Sequence, residues 1–245
     1  MRQGVSVLML AAGSTLKKLL GLFVIMAAAQ STLFYFALQK SLDGEPVGLE
    51  QLISQSRMAI VAGVGFLLLC ALLSLTACEI GGSKLRYTMH RLSIPERTTV
   101  LLWAGHNAVC FFLFWIVQLG IAFLLCRLYV TEMGGSAYVS KQTILLAFYR
   151  NSFLHSLLPL AETSRYIRNG ILAICLGICA ACFSFRQRHD KKGIAVVVLA
   201  ALTVVSFSQA MGSLAIDIFL SLVALSIAAG ALIGVWRVGS YENEL

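Results

Sequence analysis

The sequence predicts an all-α, polytopic membrane protein with six transmembrane helices and no large water-soluble domain. Of its 245 residues, 59% are hydrophobic and only 12% are charged, whereas a soluble domain carries about 25% charged residues. The mean hydropathy is +0.86. Several apolar runs also exceed the roughly 18 residues that a helix needs to cross a bilayer.

The six predicted spans form a single transmembrane domain that covers residues 1–245. The third span is long enough to be tilted. The fourth is short, so we expect the residues before it to complete it. A basic inner loop at 79–99 separates the second and third spans, and an outer segment at 126–169 separates the third and fourth. The predicted bounds of the spans are about 19–38, 58–78, 100–125, 170–185, 193–211 and 214–236.

The lysine and arginine residues predict the orientation of these helices. With the N-terminus inside, the inner segments hold twelve of the 19 Lys and Arg residues and the outer segments hold seven. Because inner loops are enriched in these residues, we predict a multi-pass plasma-membrane protein with both termini in the cytoplasm (N-in/C-in). The net charge of +8 has the same explanation, and no nucleic-acid binding is predicted.

Two further helices are predicted at the membrane surfaces. Apolar residues recur at three- and four-residue spacing through residues 1–18, which indicates an N-terminal amphipathic helix lying on the membrane. In the outer segment, residues 144–160 are strongly apolar but are interrupted by Arg150 and stopped by Pro159. This stretch is too polar to span the bilayer, so we predict an outer interfacial or re-entrant helix.

Polar side chains inside the predicted spans are candidate functional residues, because such side chains are costly in lipid. Glu79 lies at the inner end of the second span, where it either pairs with a loop arginine or contacts interfacial water. His106, Asn107 and Gln118 lie in the third span. Asn107 and Gln118 are about three turns apart and share one side of the helix. They line a polar translocation path or, as the favoured alternative, hydrogen-bond to a neighbouring helix. Asp217 is explained by exposure at the outer interface.

The seven cysteines lie inside or at the edges of apolar runs and do not predict a disulfide framework. Cys175, Cys179 and Cys182 share one helical face, which has the geometry of a soft-metal site. A face of small residues for close helix packing is the favoured interpretation, since Gly177 and Ala173 are neighbours. No metal site is therefore predicted.

Signatures of catalysis are absent from the sequence. It contains no H-E-x-x-H zinc motif, no G-x-x-x-x-G-K-[ST] phosphate-binding loop and no G-x-S-x-G nucleophile elbow. We therefore predict that the chain is not an enzyme and holds no cofactor of its own. Two other classes stay open: an integral membrane enzyme that acts on lipid, and a membrane scaffold or sensor that does not transport.

The inner loop at 79–99 is the most distinctive stretch of the sequence. Gly81-Gly82 and Pro95 enclose residues 83–94, which predict about three helical turns. Apolar residues of this stretch share one side, whereas its basic residues lie elsewhere on the helix. A short amphipathic basic helix between two spans either lies on anionic lipid or docks into a groove of a soluble partner. The apolar residues are Leu85, Met89 and Leu92.

The chain resembles the membrane (permease) subunit of an ABC exporter of the ABC-2 type. The resemblance covers most of the chain as architecture: an amphipathic N-terminal lead, six spans and both ends inside. It is sharpest in the inner loop, where Glu79 is followed by a short helix and by Arg91-Leu92-Ser93-Ile94-Pro95. That turn is similar to the Arg-Leu-Pro-Ile-like turn of the family, with the proline displaced by two residues. The extracellular helical insertion falls between the third and fourth spans here, rather than between the last two.

The resemblance implies that residues 83–92 form a coupling helix that inserts into a separate ATP-binding subunit. The apolar anchors of this helix are then Leu85, Met89 and Leu92, and its charged rim is Arg86 and Arg91. The implied complex has two copies of the ATP-binding subunit, which hold ATP and Mg, and a second permease chain that is identical or homologous. Membrane lipid surrounds it. The implied cargo is hydrophobic or amphipathic, such as an antimicrobial peptide or a drug.

Overall fold

The fold is given by a computed structural model that describes residues 2–42, 47–76, 95–133, 141–160, 162–189, 191–208 and 213–241. No strand occurs in these ranges, which confirms an all-helical chain as far as the description extends. The helices are α1 (Arg2–Leu42), α2 (Leu49–Gln55), α3 (Met58–Thr76), α4 (Glu96–Glu132), α5 (Lys141–Arg150), α6 (Ser152–Leu157), α7 (Thr163–Arg188), α8 (Ala195–Ser208) and α9 (Leu214–Tyr241).

Five of these helices are long and apolar enough to cross a membrane, which indicates a membrane protein. They are α1, α3, α4, α7 and α9. The remaining apolar helix, α8, has 14 residues, or about 21 Å, against a hydrocarbon thickness of about 30 Å. The predicted span at 193–211 is therefore shorter than expected within the described residues. Residues 209–212 lie outside the described part of the chain.

The N-terminal residues differ from the prediction, because α1 runs without a break from Arg2 to Leu42. The prediction of a separate amphipathic helix over residues 1–18 is therefore wrong. The physical reason is that the apolar stripe of the lead continues in register into the span, so both parts pack against α4, as the Thr15–His106 and Gln30–Gln118 hydrogen bonds show. The buried side chains of this stripe recur every three or four residues: Val7, Ala11, Thr15, Leu19, Phe23, Met26, Gln30, Phe34 and Leu38.

The outer segment also contains more helical structure than the single surface helix that we predicted. Helix α4 extends to Glu132 and α7 begins at Thr163, so the residues before the fourth predicted span do complete it. The predicted helix at 144–160 is divided at Asn151 into α5 and α6. The Asn151 side chain accepts hydrogen bonds from the Phe153 and Leu154 amides at 3.1 and 3.2 Å, which caps α6. Its amide nitrogen donates to the Glu50 carbonyl of α2 at 3.3 Å.

Helix α7 is the centre of the bundle and packs against α4 and α9. The cysteine face predicted from the sequence is buried there, because α4 approaches closely along α7. A Cβ built at Gly177 would lie 2.6 Å from the Ala108 backbone nitrogen and 2.8 Å from the Ala104 carbonyl oxygen. Only glycine permits this approach of the two backbones, the arrangement by which small residues bring membrane helices together.

Candidate functional site: a lateral cavity beneath a buried ion pair

The predicted coupling residues lie outside the described part of the chain. These residues are Glu79, Leu85, Arg86, Met89, Arg91 and Leu92. The description resumes at Pro95, which precedes α4 and whose carbonyl oxygen accepts hydrogen bonds from the Thr98 and Thr99 amides. Residues 96–99 of the predicted loop are therefore the first turn of α4. Glu96 lies 3.6 Å from the ring of His189, so this turn contacts the C-terminal end of α7, which is predicted to face the inner side.

The three polar residues of the third predicted span do not converge on one path. His106 shares a hydrogen bond of 2.9 Å with the Thr15 hydroxyl of α1. Gln118 accepts a hydrogen bond of 3.2 Å from the amide of Gln30, also in α1. Asn107 is completely buried, and within the described residues neither end of its amide has a hydrogen-bond partner. Two of the three side chains thus join α4 to α1.

Replacing Asn107 with leucine is expected to raise the free energy of unfolding by about 1 kcal/mol or more, because a buried amide without partners is costly. Leucine has a similar volume and needs no hydrogen bond. The measurement is thermal unfolding of the purified chain in detergent, with Gln118→Leu as the control, since Gln118 has partners to lose. If the Asn107→Leu protein is less stable, the Asn107 amide forms hydrogen bonds to a group outside the described residues.

A cavity of about 470 Å³ opens into the side of the bundle. This volume is typical of a small-molecule site. Its lining residues on α4 and α7 are mostly buried and form its floor, whereas α3 and α8 border it with several exposed side chains and form its two sides. Helix α6 contributes Phe153 and Leu157 at its predicted outer end. Among the described residues, six aromatic side chains line it: Phe66, Phe111, Phe114, Trp115, Phe153 and Phe207. The cavity is therefore suited to an apolar ligand.

Three polar side chains, Gln118, Asn169 and Thr203, also line the cavity. Each is already engaged within the protein. Gln118 accepts from Gln30, and the Asn169 amide donates to the Ser156 carbonyl oxygen at 2.9 Å. The Thr203 hydroxyl donates to the Leu199 carbonyl oxygen at 2.8 Å. A ligand therefore needs to form few hydrogen bonds with the cavity wall.

An ion pair is buried next to this cavity. Arg168 of α7 donates to the Asp217 carboxylate of α9 at 2.8 Å, and each side chain is only 2% exposed. Ser164 donates to the other carboxylate oxygen at 2.8 Å, and Arg168 also donates to the Asn169 side-chain oxygen. Because Asn169 lines the cavity, the ion pair and the cavity share a wall.

Further polar contacts surround the ion pair at the predicted outer end. Ser156 of α6 donates to the Phe207 carbonyl oxygen of α8 at 3.3 Å. The Arg165 side chain, itself 1% exposed, lies 2.5 Å from a carboxylate oxygen of Glu162, and the buried His155 ring lies 3.8 Å from the same oxygen. Together these contacts join α6, α7, α8 and α9 above the cavity. We call this set of residues the outer polar cluster.

Sequence reasoning missed the outer polar cluster. Asp217 is not exposed at the interface as predicted, because it is 1% exposed and paired. Arg165 and Arg168, which the sequence assigned to an outer loop, both lie in the first two turns of α7. One signal was present: the short fourth span needed residues before it to reach spanning length, and those residues include both arginines. An arginine inside a span calls for a carboxylate on a neighbouring helix.

No family model, curated protein or solved structure matches this chain. Among the described residues, no group of three or more His, Cys, Asp and Glu side chains is arranged to hold a metal ion. The features that bear on function are therefore the cavity, the outer polar cluster and the inner loop.

Proposed function

We propose that this chain is the permease subunit of an ATP-driven ABC exporter that moves a hydrophobic or amphipathic substrate across the plasma membrane. The observation that carries the proposal is the lateral cavity, an aromatic-lined space of about 470 Å³ between α3 and α8. A cargo that partitions into lipid reaches such a site from the bilayer without crossing water. The proposal keeps six spans and both termini in the cytoplasm, with α8 as the shortest span.

The arrangement around the cavity supports a transport cycle. The outer polar cluster joins four helices above the cavity, so cargo held there is separated from the predicted outer side. Helix α7 forms part of the cavity floor and carries Arg168, while Gly177 holds it tightly against α4. A displacement of the α4–α7 pair relative to α9 would strain the ion pair and open the cavity outward. This is a rigid-body route to alternating access.

The energy for this displacement is proposed to come from a partner. The loop at 79–94 leads directly into α4, so a force applied to a coupling helix there is transmitted to the cavity floor. The proposed complex has two permease chains, identical or homologous, and two ATP-binding subunits that hold ATP and Mg. Leu85, Met89 and Leu92 are the proposed anchors in the partner, and Arg86 and Arg91 the proposed rim.

Changing Leu92 to aspartate or Arg91 to glutamate is expected to abolish coupling. Burying an aspartate at the centre of an interface costs several kcal/mol, and a hot-spot loss of about 2 kcal/mol or more weakens binding about 30-fold. The tagged chain is purified in mild detergent, and the ATP-binding subunit is identified by peptide mass as a protein with a phosphate-binding loop. Recovery of that subunit and ATP-dependent transport in vesicles are measured.

The matched control is His90→Asp, which introduces the same charge on the opposite side of the predicted helix. We expect His90→Asp to retain partner and transport. Normal recovery and transport in the Leu92→Asp and Arg91→Glu proteins would remove the coupling role. If the unmodified chain purifies without any ATP-binding subunit, the exporter proposal itself fails, and a scaffold or lipid-acting enzyme takes its place.

A further inference from the structure

The cavity opens toward the surface that faces lipid. Ile60, Val64 and Leu67 of α3 line the cavity and are 60%, 54% and 47% exposed, and Val204 of α8 lines the opposite side. These are apolar side chains on two helices long or apolar enough to lie in a membrane. The opening between them is therefore bordered by hydrocarbon-compatible surface, and lipid chains have direct access to it.

The cavity wall selects for a hydrocarbon chain over a polar molecule. The side chains of Gln118, Asn169 and Thr203 are satisfied by partners inside the protein, so a polar ligand would lose its own hydration without replacement. Burial of apolar surface on the ligand and on the cavity wall, by contrast, is favourable by about 25 cal/mol for each Å² removed from water. An acyl chain is the apolar group that the surrounding bilayer supplies in excess.

A cation lies one turn beyond the mouth of the cavity. Arg57 is exposed and directly precedes α3, and its carbonyl oxygen accepts the Ile60 amide at 3.0 Å. Its φ of 53° is the left-handed conformation, which is uncommon for arginine. Among the described residues, the guanidinium has neither a carboxylate nor another side-chain partner. Three other arginines at this end are paired: Arg150 with Glu50, Arg165 with Glu162 and Arg168 with Asp217.

We infer that the lateral cavity is a binding site for an anionic membrane lipid, with one acyl chain among the aromatic side chains and the headgroup phosphate at Arg57. A phospholipid joins a chain to an anion across the same short distance that separates Ile60 from Arg57, about 5 Å along the helix axis. The inference goes beyond the proposed function, since binding needs neither an ATP-binding subunit nor transport. In an exporter, this lipid chain is what the cargo displaces.

The charge at the mouth is the reason for choosing lipid over other occupants. A second copy of this chain would place predominantly apolar helix against the mouth and would leave Arg57 without a counter-charge. An anionic lipid satisfies the apolar cavity and the cation together. Basic residues near a membrane surface attract anionic lipids by about 1 kcal/mol each.

The test uses quenching of Trp115 fluorescence by lipids with brominated acyl chains. Trp115 lines the cavity, so Trp103 and Trp236 are replaced by phenylalanine to leave one emitter. The purified chain is placed in vesicles of brominated phosphatidylglycerol or brominated phosphatidylcholine with identical chains. We expect stronger quenching by phosphatidylglycerol, with a selectivity of about fivefold from one basic residue. Mass spectrometry of lipid retained by the unmodified chain in detergent is the second measurement.

Two pairs of variants separate the chain from the headgroup. Gly63 lines the cavity, and a Cβ there meets nothing within 4 Å. Gly63→Phe is therefore expected to fill the cavity and to abolish selective quenching, whereas Gly105→Phe, equally open but away from the cavity, leaves it unchanged. Arg57→Gln is expected to remove the fivefold preference, whereas Arg127→Gln, an exposed arginine on α4, retains it.

Each outcome decides the inference. Selective quenching that is lost in Gly63→Phe and equalised in Arg57→Gln supports it. Quenching without preference between the two lipids, or a preference unaffected by Arg57→Gln, overturns the headgroup assignment. Quenching and lipid retention unchanged in Gly63→Phe overturn the cavity site. None of these results depends on the ATP-binding subunit, so this inference and the proposed function fail independently.

Discussion

Gly177→Ala is expected to destabilise the helix bundle by about 2 kcal/mol, and by more if the helices cannot separate. The new methyl group would lie 2.6 Å from the Ala108 nitrogen, 2.8 Å from the Ala104 carbonyl oxygen and 2.9 Å from the Ala108 Cα. All three atoms belong to the backbone of α4, so no side-chain rotation relieves the contact. Helices α4 and α7 must move apart, and both line the cavity. The measurement is the unfolding temperature in detergent by fluorescence-detected size exclusion.

The matched control for this change is Gly170→Ala on the same helix. A Cβ at Gly170 meets nothing within 4 Å. Alanine is favoured over glycine in a helix interior by about 1 kcal/mol, so Gly170→Ala is expected to be neutral or stabilising. Equal unfolding temperatures for the two variants would show that the close approach of α4 and α7 does not exist in the protein.

Asp217→Asn is expected to lower the free energy of unfolding by about 3–5 kcal/mol, because it leaves the buried Arg168 guanidinium without its carboxylate. Both side chains are 2% exposed, so water does not compensate for the lost partner. Arg168→Met is expected to cost a similar amount, since it leaves the carboxylate with Ser164 alone. The double variant Arg168→Met/Asp217→Asn is expected to recover much of the loss, because it leaves no unpaired charge.

The control is a solvent-exposed ion pair at the same end of the helix bundle. Arg150 lies 3.6 Å from Glu50, and these side chains are 62% and 33% exposed. Arg150→Gln is therefore expected to cost no more than about 1 kcal/mol. Chemical unfolding of the unmodified chain, the two single variants and the double variant gives a double-mutant cycle, and Arg150→Gln is measured beside it. If the double variant is as unstable as the sum of the single variants, Arg168 and Asp217 do not act as a pair.

Much of the fold was predictable because lipid imposes a simple rule on sequence. The second predicted span, 58–78, is observed from Met58 to Thr76, since a continuous apolar run between polar ends leaves little choice. The errors occurred where apolar residues pack on protein. The stripe of α1 begins at Val7, well before the first apolar run, and hydropathy alone does not distinguish a membrane-surface face from a helix-packing face.

The candidate site was only partly predictable. Gln118 is identifiable from its position inside a span, and it lines the cavity and bonds to α1. Arg168 and Asp217 are not, because they are 49 residues apart in sequence and each looks like an interfacial charge on its own. Their burial depends on α7 and α9 meeting at this level. Pairing between helices is a three-dimensional property that no local pattern encodes.

The sequence by itself determined that this protein is helical and suited to a membrane, because each segment must satisfy its backbone hydrogen bonds within its own helix when water is absent. Hydropathy and charge are properties of a segment alone, so they are readable without the fold. The tertiary structure decided which faces of the helices meet. It placed Gly177 against α4, joined Arg168 to Asp217 and left a cavity between α3 and α8. Those features arise from shape complementarity and charge pairing between distant segments, which is why only the packed bundle reveals them.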